Sequence, residues 1–242
     1  MGWILHAHSD GRRLAGAVSV ALEEACRAGL AARGAALLAL AGGRTPWPAY
    51  ARLAACDLDW TRVAVLPTDE RCVPHAHPAS NSRGLAEAFA AAAARGDAAV
   101  DAVGPALPGL TVPDGAPEAS LAHARALLAA NPQPFDAVLL GMGGDGHFAS
   151  LFPGAANRDE GFDPALDACR IDPVPLPPEA PYPRISLTLP RLLRTRTLLL
   201  AVTGAGKRAV LEEAMAGADP RRLPVAALLH APGAQLHVHW SP

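Results

Sequence analysis

The sequence predicts an α/β fold, with a mostly parallel sheet flanked by helices, in a single domain that spans residues 1–242. Two observations support this prediction. Short apolar runs of strand length alternate with longer stretches rich in Ala, Leu, Glu and Arg, which is the pattern of repeated strand and helix units. The 242 residues are 50% hydrophobic, which is enough to fill one large core.

The predicted strands are apolar runs bounded by turn residues, and the helices lie between them. Strands are predicted at residues 35–43, 61–70, 135–141, 196–204 and 235–240. Helices are predicted at 11–34, after Pro46 and Pro48, at 80–96, in the second half of 107–132 and at 207–217. Gly29 or Gly34 ends the first helix, and the two prolines suit the first turn of the second, where a missing N–H costs little. The Pro-rich residues 172–183 are predicted to form a surface loop.

Composition excludes several classes of partner. The net charge is −2, from 21 basic and 23 acidic residues, so no strong field would attract nucleic acid or an anionic membrane. The four cysteines are scattered without CxxC spacing, which favours a reduced intracellular protein over a disulfide framework. The N-terminus lacks a basic region followed by a long apolar one, and no apolar run approaches the roughly 20 residues of a membrane span. We therefore expect a cytoplasmic protein.

Glycine, hydroxyl and charged residues cluster where four of the predicted strands end. These strand ends are residues 42–45, 68–71, 143–147 and 203–207. In an open parallel sheet, ligands bind beyond the carboxyl ends of the strands, where helices begin and free N–H groups point outward. If the four strands are parallel neighbours, one crevice receives all four segments.

Residues 141–146 have the spacing Gly-x-Gly-x-x-Gly of a dinucleotide-binding fingerprint. That motif needs a helix directly after the glycines and an acidic residue about 20 positions later, at the end of the next strand. Here Phe-Pro-Gly at 152–154 would stop a helix, and no second strand ending in an acid follows, so we reject nucleotide binding. A turn that only needs positive φ angles would explain the glycines, but not Asp145 and His147 two residues apart. Because an Asp can orient an imidazole and favour proton uptake, this pair is a candidate general base.

Two of the segments suit a phosphate group. The first consists of Gly42, Gly43, Arg44 and Thr45, where backbone N–H groups, a hydroxyl and a helix dipole can meet a dianion. The alternative, that Thr45 only caps the helix, stays open. The second contains Lys207, the only lysine of the chain, which opens a helix after a Gly-rich turn. This turn lacks the earlier glycine and the following hydroxyl residue of an ATP-binding Walker loop, which leaves a simple phosphate as the candidate ligand.

The remaining segment joins Asp69, Glu70 and Arg71 at a strand end. A solvated charge run is the usual explanation of such a triplet, but a position facing the crevice favours a functional role for at least one of the three. Histidine pairs and a nearby cysteine lack standard zinc spacing, so they are expected to be surface or core residues: His6, His8, Cys72, His75, His77, His237 and His239. No G-x-S-x-G elbow is present and no cysteine has an activating neighbour, which makes water the expected nucleophile.

Five segments in chain order carry a family resemblance. They are LALAGGRTPWPAYARL, TDERCVPHAHPASNSRG, LLGMGGDGHFASLFPG, RISLTLPRLLR and LLLAVTGAGKRAVLEEA. Together they resemble the glucosamine-6-phosphate isomerase/6-phosphogluconolactonase family. The lactonase branch reads D-G-H-T-A-S-L-F-P-G in the third segment, whereas the deaminases are closer to D-G-H-I-A-F-N-E-P. Residues 150–154 match the lactonases, and Phe148 departs from the usual Thr, which bears on the packing beside His147.

The resemblance implies a Rossmann-like fold and the hydrolysis of 6-phospho-D-glucono-1,5-lactone to 6-phosphogluconate, in the oxidative pentose phosphate pathway, without a metal or organic cofactor. By position, His147 would deprotonate the attacking water, and Asp145, Arg71 and Asp69 complete the predicted catalytic set. The predicted substrate- and phosphate-binding set is Gly42, Gly43, Arg44, Thr45, Asn81, Gly144, Arg184 and Lys207. The expected partner is the phosphosugar lactone, bound by a monomer or a small homo-oligomer.

Two other functions are compatible with the same residues. A glucosamine-6-phosphate isomerase/deaminase would use the same phosphate loop and the same histidine, but it would release ammonia. A non-catalytic sugar-phosphate-binding protein would bind the phosphosugar and leave it unchanged. The group that stabilises the oxyanion also stays open, between Arg71 and the N–H groups of the 143–147 turn.

Overall fold

The computed structural model describes residues 2–43, 45–93, 104–174, 181–233 and 235–242. Six strands form a sheet in which all neighbours are parallel: β1 (Trp3–Ala7), β2 (Ala36–Leu40), β3 (Val63–Pro67), β5 (Phe135–Gly141), β8 (Thr195–Thr203) and β9 (Leu236–Ser241). Their order is β1-β9-β8-β5-β2-β3. Three short strands form a separate antiparallel sheet: β4 (Asp69–Arg71), β7 (Arg184–Leu187) and β6 (Ala168–Ile171), in this order. The mostly parallel α/β architecture predicted from the sequence is confirmed.

Helices cover both faces of the parallel sheet. Those of the described residues are α1 (Gly11–Arg33), α2 (Trp47–Leu53), α3 (Asn81–Ala93), α4 (Pro117–Ala130), α5 (Leu189–Leu193), α6 (Ala205–Met215) and α7 (Val225–Leu229). The first three pack in one apolar cluster, and the other four pack in a second cluster together with β6 and β7. Within the described ranges, we find no helix whose length and apolar content would let it cross a membrane.

The central strand β5 shows why the sheet needs both layers of helices. Its residues 135–140 are all buried, and neighbouring side chains point to opposite faces. Val138 and Leu140 join the α4 to α7 cluster, whereas Ala137 and Leu139 join the α1 to α3 cluster. A strand with apolar side chains on both faces is stable only when both faces of the sheet are covered.

Gly29 within α1 and Gly34 just after it are each required to be glycine, for different structural reasons. The helix ends at Arg33, and Gly34 follows it with φ +71°, a left-handed conformation that favours glycine at this position. Gly29 stays inside the helix, where a Cβ would lie 2.9 Å from Cγ of Asp136. The buried Asp136 accepts a hydrogen bond of 2.8 Å from the N–H of Leu37 and pairs with Arg33. Gly29 therefore makes room for the carboxylate that ties α1 to the sheet.

Several short elements are absent from the sequence prediction. They are β1, the strands β6 and β7 of the antiparallel sheet, α5 and α7, none longer than five residues. Such elements are too short to show a helical or strand period, and contacts with distant segments stabilise them instead. The predicted strand 61–70 is observed as two strands, β3 and β4, which belong to different sheets. The predicted helix 80–96 is observed as far as Ala93, and residues 94–96 lie outside the described part. In the predicted loop 172–183, residues 175–180 likewise lie outside it.

The strand order brings the four predicted strand ends together. Strands β8, β5, β2 and β3 are consecutive neighbours and run in the same direction. Their carboxyl ends therefore lie along one edge of the sheet. Strand β4 follows β3 after a single residue and pairs with β7, so the antiparallel sheet forms a wall beside this edge.

Four histidines form a ladder on the opposite flank, between β1 and β9. His6 Nε2 lies 3.1 Å from His237 Nδ1, and His8 Nε2 lies 3.0 Å from His239 Nδ1. The rings of His6 and His239 also stack, with centroids 4.7 Å apart. Burial, followed by the charges of the three other histidines, lowers the pKa of His239 to about 4. Burial also lowers the pKa of His8 and of His237, so the ladder favours the neutral form of these three rings.

Acid should weaken this flank of the fold through His239. Its pKa of about 4 in the folded protein lies below the ordinary 6.5, so between these values the unfolded chain binds a proton that the folded chain does not. The contribution of the neutral ring is present above pH 6.5 and is lost as the pH falls towards 4, by about 3 kcal/mol. Urea unfolding at a series of pH values measures the loss, and His239→Gln should flatten the pH dependence.

The control for this experiment is His123→Gln, which removes an exposed histidine of α4 outside the ladder. We expect it to keep the wild-type dependence of the unfolding free energy on pH. Equal pH dependence in both variants would contradict the role of the ladder.

Candidate active site

A cavity of about 370 Å³ opens where β2, β3, β5 and β8 end. Nine sequence-predicted site residues line it: Gly42, Gly43, Thr45, Asp69, Arg71, Asn81, His147, Arg184 and Lys207. Arg44 lies outside the described residues. Gly144 and Asp145 are exposed and are not part of the cavity wall, so the carboxylate reaches the cavity only through its neighbour His147. The wall also contains Phe152, which the sequence analysis did not select.

Asp145 and His147 form a close pair within the turn after β5. Nδ1 of His147 lies 2.5 Å from Oδ1 of Asp145, and the N–H of His147 donates to the same oxygen at 3.2 Å. Burial raises the pKa of Asp145, but the hydrogen bond and charge of His147 outweigh burial, and the net effect lowers that pKa. An ionised carboxylate favours a proton on Nδ1, which leaves the lone pair of Nε2 to accept a proton.

The glycines of this turn are explained by space as well as by backbone conformation. A Cβ on Gly143 would lie 2.2 Å from both Cε1 and Nδ1 of His147, a distance that no real contact allows. Gly146 has φ +76°. The N–H of Gly143 donates to the carbonyl of His147 at 2.8 Å, and the N–H of Gly146 donates to the carbonyl of Gly143 at 3.1 Å. The spacing that resembles a dinucleotide fingerprint thus folds the chain tightly around an imidazole, and no helix follows before the single-turn segment 158–162.

Glu70, whose role the sequence left open, holds the amino end of α3. Its side chain is fully buried, and its two oxygens accept hydrogen bonds of 2.7 Å from the N–H groups of Asn81 and Ser82. The hydroxyl of Ser80 donates to it at 3.1 Å. Because a helix leaves its first N–H groups without partners, this carboxylate acts as a cap from a distant strand. It thereby fixes Asn81 at the cavity.

Asp69 has both carboxylate oxygens engaged by buried hydroxyl groups. The hydroxyl of Ser150 donates to Oδ2 at 2.6 Å, and that of Thr68 donates to Oδ1 at 3.2 Å. The side-chain amide of Asn81 donates to the carbonyl of Asp69 at 2.7 Å, and a Cβ on Gly42 would lie 2.0 Å from Oδ1 of Asn81. These contacts join the turns that follow β2, β3 and β5 into one unit.

Two arginines stand side by side on the antiparallel sheet. Arg71 and Arg184 are direct partners in the pairing of β4 with β7, which places their side chains on the same face. Nη1 of Arg71 donates to the carbonyl of Ala79 at 2.6 Å, and Nη1 of Arg184 donates to that of Tyr182 at 2.9 Å. Burial, and to a lesser extent the charge of Arg71, lowers the pKa of Arg184, against the attraction of Asp69. Two neighbouring cations of this kind favour an anion in the cavity.

Lys207 adds a third cation from the opposite side of the cavity, in the first turn of α6. Gly204 precedes this helix with φ +93° and offers no side-chain cap, so the first N–H groups of α6 are available to an anion. On α2, Pro46 occupies the cap position and no side chain caps the helix. The interpretation of Thr45 as a helix cap is therefore wrong, and Thr45 lines the cavity instead.

Comparison with known proteins gives the family. The model of the family described as Glucosamine-6-phosphate isomerases/6-phosphogluconolactonase matches residues 9–240. The chain belongs to this family. It is 37% identical to a 6-phosphogluconolactonase of Pseudomonas putida, over 98% of this chain and 93% of that protein. It is 39% identical to one of Caulobacter vibrioides, over 94% and 89% respectively. The crystal structure of a 6-phosphogluconolactonase from Shewanella baltica is 27% identical and superimposes with a TM-score of 0.87, over 99% of this chain and 97% of the other.

Across the described residues, no three side chains of His, Cys, Asp or Glu converge in a way that could hold a metal ion. The cavity wall instead contains the cations Arg71, Arg184 and Lys207 together with Asp69 and the imidazole of His147, and Asp145 lies behind that imidazole.

Gly143→Ala should disrupt the turn that carries the imidazole. The new Cβ would clash with the His147 ring at 2.2 Å, and we expect the variant to lose roughly 1–3 kcal/mol of unfolding free energy, the usual cost of overpacking. Thermal unfolding measures the change. The matched control is Gly144→Ala, whose Cβ meets no atom within 4 Å and should leave the melting temperature unchanged. Equal melting temperatures for the two variants would contradict this explanation of the glycine.

Proposed function

We propose that this protein hydrolyses 6-phospho-D-glucono-1,5-lactone to 6-phosphogluconate, as a carboxylic ester hydrolase acting on a sugar lactone. The observation that carries the proposal is the pairing of His147 with Asp145 beside a cavity that also receives three cations. An imidazole held by a carboxylate is suited to activate water, and clustered cations are suited to a phosphorylated substrate. Relatives named 6-phosphogluconolactonase at 37% and 39% identity support the same reaction.

The phosphate group is assigned to the Lys207 side of the cavity. The ammonium group and the N–H groups at the start of α6 offer a charge and several donors there, and the loop of Gly42, Gly43 and Thr45 lines the same cavity. Arg44 belongs to the same loop by sequence. Because the phosphate lies far from the reacting carbon, its binding energy orients the lactone and does not take part in bond making.

The reacting carbon, C1, is assigned to the neighbourhood of His147. Nε2 accepts a proton from water as the water oxygen attacks C1, and a tetrahedral oxyanion forms. The bond from C1 to the ring oxygen then breaks, and the imidazolium returns its proton to that oxygen, which becomes the 5-hydroxyl group. Asp145 keeps the imidazole in the required tautomer and stabilises its charged form. The products are the open-chain acid and an unchanged protein.

An arginine is our choice for the oxyanion partner. Gly143, Gly146 and His147 already use their N–H groups within the turn, which weakens the backbone alternative. Arg71 has a buried Nε that lacks a hydrogen-bond partner among the described residues, so it has a donor to offer. We assign the oxyanion to Arg71 and give Asp69 a positioning role, because both of its oxygens are engaged.

The proposal also covers the cellular location of the protein and its partners. All four cysteines are free thiols, which suits the cytoplasm. The phosphosugar lactone is the proposed partner, for a monomer or small homo-oligomer that acts without nucleic acid or membrane.

Hydrolysis of freshly generated lactone, coupled to 6-phosphogluconate dehydrogenase, tests the function and the base together. We expect the wild type to exceed spontaneous ring opening, and His147→Ala to lower kcat by about 10²- to 10⁴-fold with little change in KM. The control is His123→Gln, an exposed histidine outside the site. A parallel assay of ammonia release from glucosamine 6-phosphate separates the two branches of the family. Ammonia without lactone hydrolysis would support the deaminase, and binding of the phosphosugar without either activity would support a non-catalytic protein.

Lys207→Ala should separate binding from chemistry. Loss of a charge-assisted contact to phosphate should raise KM about 10- to 100-fold and leave kcat largely unchanged. Arg12→Ala is the matched control, because it removes an exposed cation from the first turn of another helix. If Lys207→Ala lowered kcat and left KM unchanged, the assignment of the phosphate to this end of the cavity would be wrong.

A further inference from the structure

A tight reversal of the chain follows His147. Phe148 and Leu151 form an isolated antiparallel bridge, and the N–H of Leu151 donates to the carbonyl of Phe148 at 2.9 Å. The residues just outside this bridge are His147 and Phe152. They are therefore cross-strand neighbours, and their side chains are brought into contact by the register of the bridge.

The reversal is held in a conformation that the chain would not adopt alone. Ala149, inside the turn, has φ +46°, and it is the one non-glycine residue with positive φ among the described residues. Ser150, next to it, is fully buried and is fixed at two points. Its N–H donates to Oγ of Ser186 at 3.2 Å, and its hydroxyl donates to Asp69 at 2.6 Å. Backbone strain of this kind persists only where surrounding contacts enforce it, and it is concentrated at functional sites.

The result of the reversal is a phenyl ring that touches two charged or proton-accepting groups of the cavity. The ring centroids of Phe152 and His147 are 4.2 Å apart, and the rings are inclined by 34°. Cζ of Arg184 lies 4.8 Å from the centroid of the same phenyl ring. Arg184 reaches this ring because it is two residues from Ser186 on β7, on the face that contacts the turn.

We propose that Phe152 is a positioning residue that sets the plane of the His147 imidazole and holds the Arg184 guanidinium at the reacting end of the cavity. This inference is built on the proposed function. The hydrogen bond to Asp145 fixes one ring nitrogen, but the imidazole can still turn about that bond, and the phenyl ring removes this freedom. The guanidinium lies within cation–π distance of the phenyl ring, which stabilises the charge of a buried cation. A single ring thus couples the orientation of the base to that of a substrate-binding cation.

Phe152→Leu tests the proposal, because leucine keeps an apolar side chain but provides no aromatic face. We expect kcat to fall roughly tenfold and KM to rise severalfold, since both the base and the arginine lose their support. Phe152→Tyr keeps the ring and should restore both parameters to within about twofold of the wild type. The matched control is Phe162→Leu, which removes another phenyl ring that carries an arginine, Arg158, at 4.5 Å and lies outside the cavity wall. That control should keep wild-type kcat and KM.

Two readouts that need no turnover accompany the kinetics. The first is the NMR chemical shift of the His147 Cε1–H proton, whose signal is assigned by its absence in His147→Gln. The ring current of Phe152 should displace this chemical shift in the wild type and in Phe152→Tyr, but not in Phe152→Leu. In calorimetry, the dissociation constant for 6-phosphogluconate should rise severalfold in Phe152→Leu alone. An inactive wild type would refute the proposed reaction, and these readouts would still decide the role of Phe152. The inference would be overturned if Phe152→Leu and the wild type had the same kcat and KM, the same His147 Cε1–H chemical shift and the same dissociation constant for 6-phosphogluconate.

Discussion

The shared direction of four neighbouring strands is the constraint on which the site depends. Strands β8, β5, β2 and β3 lie side by side and all point the same way, so four turns that are far apart in sequence emerge along one edge. Each turn brings a different chemical group to that edge. A single antiparallel pair in this part of the sheet would send one of these groups to the opposite end of the molecule, more than a strand length away.

Buried carboxylates convert this alignment into a fixed geometry. Glu70 fastens the start of α3, Asp69 fastens the turn that carries His147, and Asp136 fastens α1 to the sheet. Each is satisfied by hydrogen bonds from backbone or hydroxyl groups, which is what makes a buried charge tolerable. Arg71 and Arg184 lie beside one another on β4 and β7, and each donates a hydrogen bond to a backbone carbonyl. Their neighbouring positive charges suit an anion in the cavity.

Local periodicity and the positions of strand ends allowed the central sheet apart from β1, the long helices and seven of the nine predicted cavity residues to be found, and the family resemblance added Asn81 and Arg184. The family resemblance supplied the substrate. What escaped prediction depends on contacts between distant segments. Arg71 and Arg184 are neighbours only because β4 pairs with β7, Glu70 caps a helix that begins eleven residues later, and Phe152 meets His147 only through a strained turn. No local pattern reports such contacts.

The central claim is that the cavity has a phosphate end at Lys207 and a reacting end at His147. A crystal structure of the protein with bound 6-phosphogluconate tests it most directly. The account predicts the phosphate against the Lys207 ammonium and the first N–H groups of α6, and the C1 carboxylate within hydrogen-bond distance of His147 Nε2. A phosphate held between Arg71 and Arg184, with the carboxylate directed towards Lys207, would contradict it.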